Sequence, residues 1–77
     1  ILVGADLTRA DLTNATVRNA DFRAATLTET VLRGADLRGA RNLTAEQLAE
    51  AFIDDATRLP RDISREAIEA VRYTATE

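Results

Sequence analysis

The 77-residue chain has no cysteine, histidine, methionine, tryptophan or lysine. Each absence removes a class of chemistry. Without cysteine there is no disulfide framework, and no redox compartment is indicated. Without cysteine and histidine, thiolate metal sites and the usual nucleophile–base pairs are excluded. Only carboxylates and Tyr73 remain for acid–base work, so an enzyme is not expected. Three glycines, widely scattered, make no phosphate-binding loop. No apolar run is long enough for a membrane span or a signal-peptide core, so the expectation is a cytoplasmic protein with no membrane contact. Charge of one sign is also lacking. Thirteen acids face ten basic residues, all arginine, for a net charge of −3. The segment to Ala40 balances, with Asp6, Asp11, Asp21, Glu29 and Asp36 against Arg9, Arg18, Arg23, Arg33 and Arg38. The imbalance lies beyond Ala40. Neither part is a basic patch of the kind that binds nucleic acid, and no direct nucleic-acid partner is expected.

What is present is a rhythm of five. Ala5-Asp6-Leu7-Thr8-Arg9 is followed by Ala10-Asp11-Leu12-Thr13-Asn14, and by variants of the same unit through Ala35-Asp36-Leu37-Arg38-Gly39. A large apolar residue recurs as Leu2, Leu7, Leu12, Val17, Phe22, Leu27, Leu32 and Leu37. A small residue stands two places before most of them, with Thr30 the exception. On an α-helix, at about 100° per residue, a step of five advances about 140°, so these side chains would wander around the whole circumference. On a flat strand, faces alternate and five is odd, so successive leucines would point to opposite sides. The conflict disappears if the chain corners once per unit and closes into a coil, with the large and the small residue both facing inward. Such coils stack through backbone hydrogen bonds into a solenoid.

The units resemble the pentapeptide repeat, A(D/N)LXX, with Ala5, Asp6 and Leu7 in the first full copy. The resemblance covers residues 1–40, about half of the chain. It implies an all-β solenoid, a right-handed quadrilateral β-helix with four repeats per coil. Two coils result, roughly 10 Å tall at strand spacing. Stacking by twenty puts Phe22 over Leu2, Leu27 over Leu7, Leu32 over Leu12 and Leu37 over Val17. These eight are the expected core, and each contributes about 1.5–3 kcal/mol of burial before entropy is subtracted. Outside, Arg9 faces Glu29, an expected ion pair. Arg18 faces Arg38, a repulsive pair unless Asp36 intervenes. The aspartates are expected to serve the turns through local bonds to backbone. Val31 takes an outward slot usually held by Asp or Asn, and Gly4, Gly34 and Gly39 fall where the turn demands positive φ. A buried Thr30 hydroxyl needs an internal partner.

The five-residue pattern ends at Ala40, and residues 41–77 are expected to form a helical cap and tail. Thr44 and Gln47 make a capping box, with Leu43 and Leu48 at the staple positions. Leu48, Ala51 and Phe52 give one apolar face at helical spacing, which is expected to cover the last coil. The expected cap residues are thus Thr44, Gln47, Leu48 and Phe52, with Glu46, Glu50 and Asp54 on the polar outer side. The segments Asn42-Leu43-Thr44 and Thr57-Arg58-Leu59-Pro60 also resemble the chain beyond the last coil in that family. A second helix over about 64–74, capped by Asp62 or Ser64, carries a stripe of Ala67, Ile68 and Val71 and an Arg65–Glu69 pair. It is expected to fold back on the first helix or to meet a second copy, and the last few residues are expected to fray. Asp54-Asp55 is the one conceivable cation site, better read as a solvated pair.

No catalytic, cofactor or metal residue is expected. A two-coil solenoid is poorly stabilised alone and leaves an unpaired backbone edge. Further coils ahead of Ile1, or a protein partner or second copy at that end, are therefore expected. The leading reading is a structural or protein-interaction module. The resemblance implies an alternative: some family members imitate duplex DNA, bind DNA gyrase and protect it from quinolones, some of them as dimers.

Overall fold

The computed structural model describes residues 2–75. Every unit from Leu2 to Ala40 folds the same way. The carbonyl of its large apolar residue accepts the N–H three residues on, as in Ala10 N to Leu7 O at 2.9 Å and Ala35 N to Leu32 O at 3.0 Å. The residue between, third of the four in the turn, has positive φ in every unit: Gly4, Arg9, Asn14, Asn19, Ala24, Glu29, Gly34 and Gly39. Positive φ at that place is the mark of a type II turn, which glycine and asparagine adopt most readily. The corner predicted from the period is therefore a repeated tight turn.

Four such units close one coil. Single parallel bridges join Asp6 to Thr26, Asp11 to Val31, Thr16 to Asp36 and Asp21 to Arg41, each one coil apart. Around each bridge the lower chain donates upward and the upper chain donates downward. Leu12 N reaches Val31 O at 2.8 Å, and Val31 N reaches Ala10 O at 2.8 Å. The all-β expectation meets a narrower reality. Among the described residues these pairings are isolated bridges without strands or a sheet, because each side runs straight for too few residues before it turns. The named elements are two helices, α1 (Ala45–Ala49) and α2 (Arg65–Ala75).

Burial follows the stacking. Phe22, Leu27, Leu32 and Leu37, in the second coil, are buried, whereas Leu2, Leu7, Leu12 and Val17, in the first, are half-buried beneath them. The Thr30 hydroxyl is fully enclosed and donates to Leu7 O at 2.7 Å. Its need for an internal partner is met by the coil below.

The coil does not stop at Ala40. Bridges from Val31 to Phe52 and from Asp36 to Arg58 raise a third, irregular turn of chain. Its spacing is twenty-one and then twenty-two residues, because Asn42, at positive φ, takes the place where an inward side chain was due, and Leu43 fills the core instead. With the sides numbered by their bridges, Asp21–Arg41 on the first, Asp6–Thr26 on the second, Asp11–Val31 on the third and Thr16–Asp36 on the fourth, α1 lies over the second in place of a bridge. Thr44 caps it: its hydroxyl accepts Gln47 N at 3.1 Å, and Gln47 Oε1 accepts Thr44 N at 2.8 Å. Leu43 and Leu48 are both buried.

Phe52 corrects the expected cap face. It is 46 % exposed and lies beyond α1, which ends three residues earlier. Its N–H donates to Thr30 O and its carbonyl accepts Leu32 N. That pairing returns Phe52 to the coil in the outward column of Asp11 and Val31, and Ala51 takes the inward place. A second correction concerns α2. Ser64 caps it, accepting Ala67 N at 3.0 Å, and Ile68 is buried where α2 packs on α1. Ala67, predicted in the apolar stripe, is exposed, and Val71 is half-buried. Arg65 does not pair with Glu69. It donates to the carbonyls of Asp54 and Thr57, and Glu69 pairs with Arg72 at 3.4 Å. Bonding to carbonyls of the irregular turn outweighs an exposed ion pair between neighbouring helical turns. The predicted fraying falls on residues 76 and 77, outside the described ones.

Candidate interaction surface

The residues that face outward are set by the turns, and many are committed to them. The carboxylates of Asp6, Asp11, Asp21 and Asp36 each accept the backbone N–H two residues on. Thr8 and Thr13 add their hydroxyls to Asp6 and Asp11. These bonds favour the ionised form. The Thr8 and Thr13 hydroxyls, then their backbone N–H groups, hold Asp6 and Asp11 below the ordinary carboxylate range. For Asp21 the Asn42 amide leads, followed by Arg23 N. Asp36 is lowered furthest, first by its side-chain bonds from Arg38. The ladder of aspartates is therefore turn hardware.

Asp54 is committed in the same way. Its Oδ1 accepts Gly34 N at 3.0 Å, together with Ala56 N and Thr57 N. The Gly34 N–H contributes most to lowering its pKa. Among the described residues no group of three acids is placed to hold a metal ion, and no helix is long and apolar enough to cross a membrane.

The predicted cap residues divide by role. Leu48 closes the core. Gln47 does more than the capping box required: its Nε2 donates to both Phe22 O and Ala25 O at 2.9 Å. One amide thus satisfies a coil corner and the start of α1. Thr57 repeats the device of Thr30, donating to Leu32 O at 2.8 Å from an inward place. Arg72 reaches Ala49 O at 3.2 Å and Ala51 O at 2.7 Å, and joins the end of α1 to α2.

What the turns leave uncommitted is the charge pattern of the sides. On the second side, Asp6, Glu29 and Glu50 outnumber Arg9. The expected Arg9–Glu29 pair is made at 2.9 Å, with Thr28 Oγ1 bonded to Glu50 above it. On the fourth side, across the coil, Arg18, Arg38 and Arg58 rise in sequence around one acid, Asp36. Arg38 grips Asp36 with a two-pronged contact, Nε to Oδ1 at 2.9 Å and Nη2 to Oδ2 at 2.8 Å, and Arg18 lies 3.9 Å away. The predicted repulsion of Arg18 and Arg38 is relieved by that carboxylate. At the upper corner of this side Arg61 and Asp62 join Arg38 around a cleft of about 500 Å³, floored by Gly39, Ala40, Leu59 and Pro60. Arg58 and Arg61 are exposed, and the side chain of neither is paired with an acid among the described residues.

Sequence reasoning found Arg18, Arg38 and Asp36 on this side but missed Arg58 and Arg61. Arg18 and Arg38 are one coil apart, but Arg58 bridges Asp36 at a spacing of twenty-two, so its place on this side cannot be counted from the repeat.

Among curated proteins, none matches the chain. The family model for pentapeptide repeats matches residues 1–41 with eight copies, the same units whose turns and inward residues stack here. The chain belongs to the pentapeptide repeat family.

Proposed function

We propose that the chain is a non-enzymatic protein-interaction module, a rigid scaffold that presents outward side chains to a protein partner. The right-handed, four-sided β-helix of the family is the architecture that the twenty-residue bridging supports. The observation that carries the functional reading is the division of labour along each unit. The large and small residues and the turn aspartates are consumed by the fold. The remaining outward positions vary in charge from side to side and, among the described residues, hold no grouping suited to catalysis.

The test is affinity capture from native cells, followed by titration with the purified partner. Saturable binding with fixed stoichiometry is expected. It should be lost when outward residues of one side are replaced by serine with the inward ladders intact. Failure of the chain to bind any cellular protein saturably would remove the reading.

The DNA-mimic alternative draws less support from the charge layout. The longest dimension is 33 Å, near one duplex turn. Duplex DNA of that length carries roughly 20 negative charges. This chain carries a net −3 and sets an arginine-rich side opposite an acidic one. No inhibition of gyrase supercoiling is expected.

A further inference from the structure

We infer that the fourth side, with the cleft at its upper corner, docks an acidic, extended segment of a partner protein. This rests on the interaction-module reading and names the chemistry of the partner.

Four observations converge. First, Arg61 lines the cleft and Arg58, next in sequence to its Leu59 wall, is exposed on the same side; neither has an acid partner among the described residues. Both are arginines, whose planar forks match carboxylates in two-pronged fashion. Second, the same side already displays that mode once, in the Arg38 contact to Asp36. Asp36 is held by its own turn and fixes Arg38 beside the cleft, so the site is partly ordered before anything binds. Third, the cleft is large enough for one or two side chains, and Ala40, Leu59 and Pro60 offer an apolar seat between the cations. An acidic segment with an embedded aliphatic residue satisfies both features.

Fourth, the positive potential is local. The protein as a whole is negative, and the opposite side carries Asp6, Glu29 and Glu50. A short peptide meets only the arginine side. A nucleic acid, with its long line of charge, also meets the repulsion of the whole molecule. The observations therefore favour the peptide over the polynucleotide. Asp62 also lines the cleft, so the carboxylates of the segment seat toward Arg61 and Arg58 and away from Asp62.

The experiment is a fluorescence-anisotropy titration of the whole chain with a labelled twelve-residue peptide of Asp and Glu around one Leu, at low salt. Binding is expected, falling as salt is raised. Arg58→Glu with Arg61→Glu should weaken it by about tenfold or more. Arg23→Glu, on the first side, should change it less than about twofold. Circular dichroism and the melting temperature should show the double variant folded, since the displaced guanidinium groups make no described bond. Tighter binding to a single-stranded oligonucleotide than to the peptide overturns the inference. So does salt-sensitive self-association that the double variant abolishes, which would make the acidic side of a second copy the occupant. No peptide binding, or equal loss with Arg23→Glu, also overturns it. Each of these leaves the interaction-module reading standing, because that reading is judged by saturable capture of a native partner.

Discussion

Ala24 sits at the turn position with the least chemical justification. Its φ is 60°, where Gly34 and Gly39 hold the equivalent place without a Cβ and Asn14 and Asn19 hold it with a short polar side chain. The left-handed conformation costs a residue with a Cβ about 1–2 kcal/mol. Glycine returns about 0.5–1 kcal/mol of that as unfolded-state freedom. Ala24→Gly should therefore stabilise the protein by about 0.5–1 kcal/mol, read as a melting temperature a few degrees higher. The reverse change, Gly34→Ala, should cost about 1–2 kcal/mol through its positive φ, and the Asn14 side-chain oxygen would have to turn aside from the new Cβ. Gln47 gives a sharper test of one amide. Gln47→Glu would replace the donor facing Phe22 O and Ala25 O by a carboxylate oxygen. It should cost about 2–3 kcal/mol near neutral pH. Its carboxyl pKa would be raised in the fold, so the folded state holds the extra proton and the deficit should shrink from pH 7 to pH 5. Urea midpoints of variant and parent at both pH values check this; a deficit independent of pH would show that the second oxygen turns to solvent.

The α1 and α2 elements show where local pattern stops being informative. The capping box and staple of α1 are legible because each needs only residues within one turn. Spacing misplaces Phe52 because i, i+3, i+4 from Leu48 is helical in form, yet the chain leaves the helix before reaching it. The decision belongs to Thr30 and Leu32, whose backbone groups capture Phe52 from another coil. The contacts of Arg65 and Arg72 are illegible for the same reason: their carbonyl partners exist only once the irregular turn has formed. Arg72 should matter to that element more than its partial exposure suggests. Arg72→Met keeps most of the aliphatic stem but removes the bonds to Ala49 O and Ala51 O. A loss of about 1–2 kcal/mol is expected. Hydrogen exchange should speed up along α2 and leave the amides of the lower coils nearly unchanged. Equal acceleration everywhere would mean that helix and coils open as one unit.

For the molecule as a whole, the five-residue period disclosed the coil and the inward set, and the spacing of twenty disclosed the Arg9–Glu29 pair. It did not disclose the third turn, because two slips of register hide the homology of Phe52 with Val31 and of Arg58 with Asp36. Five aspartates, Asp6, Asp11, Asp21, Asp36 and Asp54, share lowered pKa values in the fold. An unfolded aspartate titrates near 3.9, so between the two values the unfolded chain holds more protons, and stability rises with pH there. The contribution is complete above about pH 5 and is lost as the pH falls through the folded values. Urea midpoints should be level from pH 5 to 7 and drop steeply toward pH 3; a midpoint insensitive to acid would show that the turn carboxylates do not stabilise the coil. The slipped register has one more outcome. In the second coil Thr26, Val31 and Asp36 donate down to Ala5, Ala10 and Ala15. The equivalent N–H groups of Asp6, Asp11 and Thr16 have no partner among the described residues and can receive another layer in phase. The opposite pole cannot, since α1 and α2 lie across it and nothing there keeps a twenty-residue phase. In-phase layering on this fold is accordingly polar, with one pole able to continue the coil and the other closed by its helices.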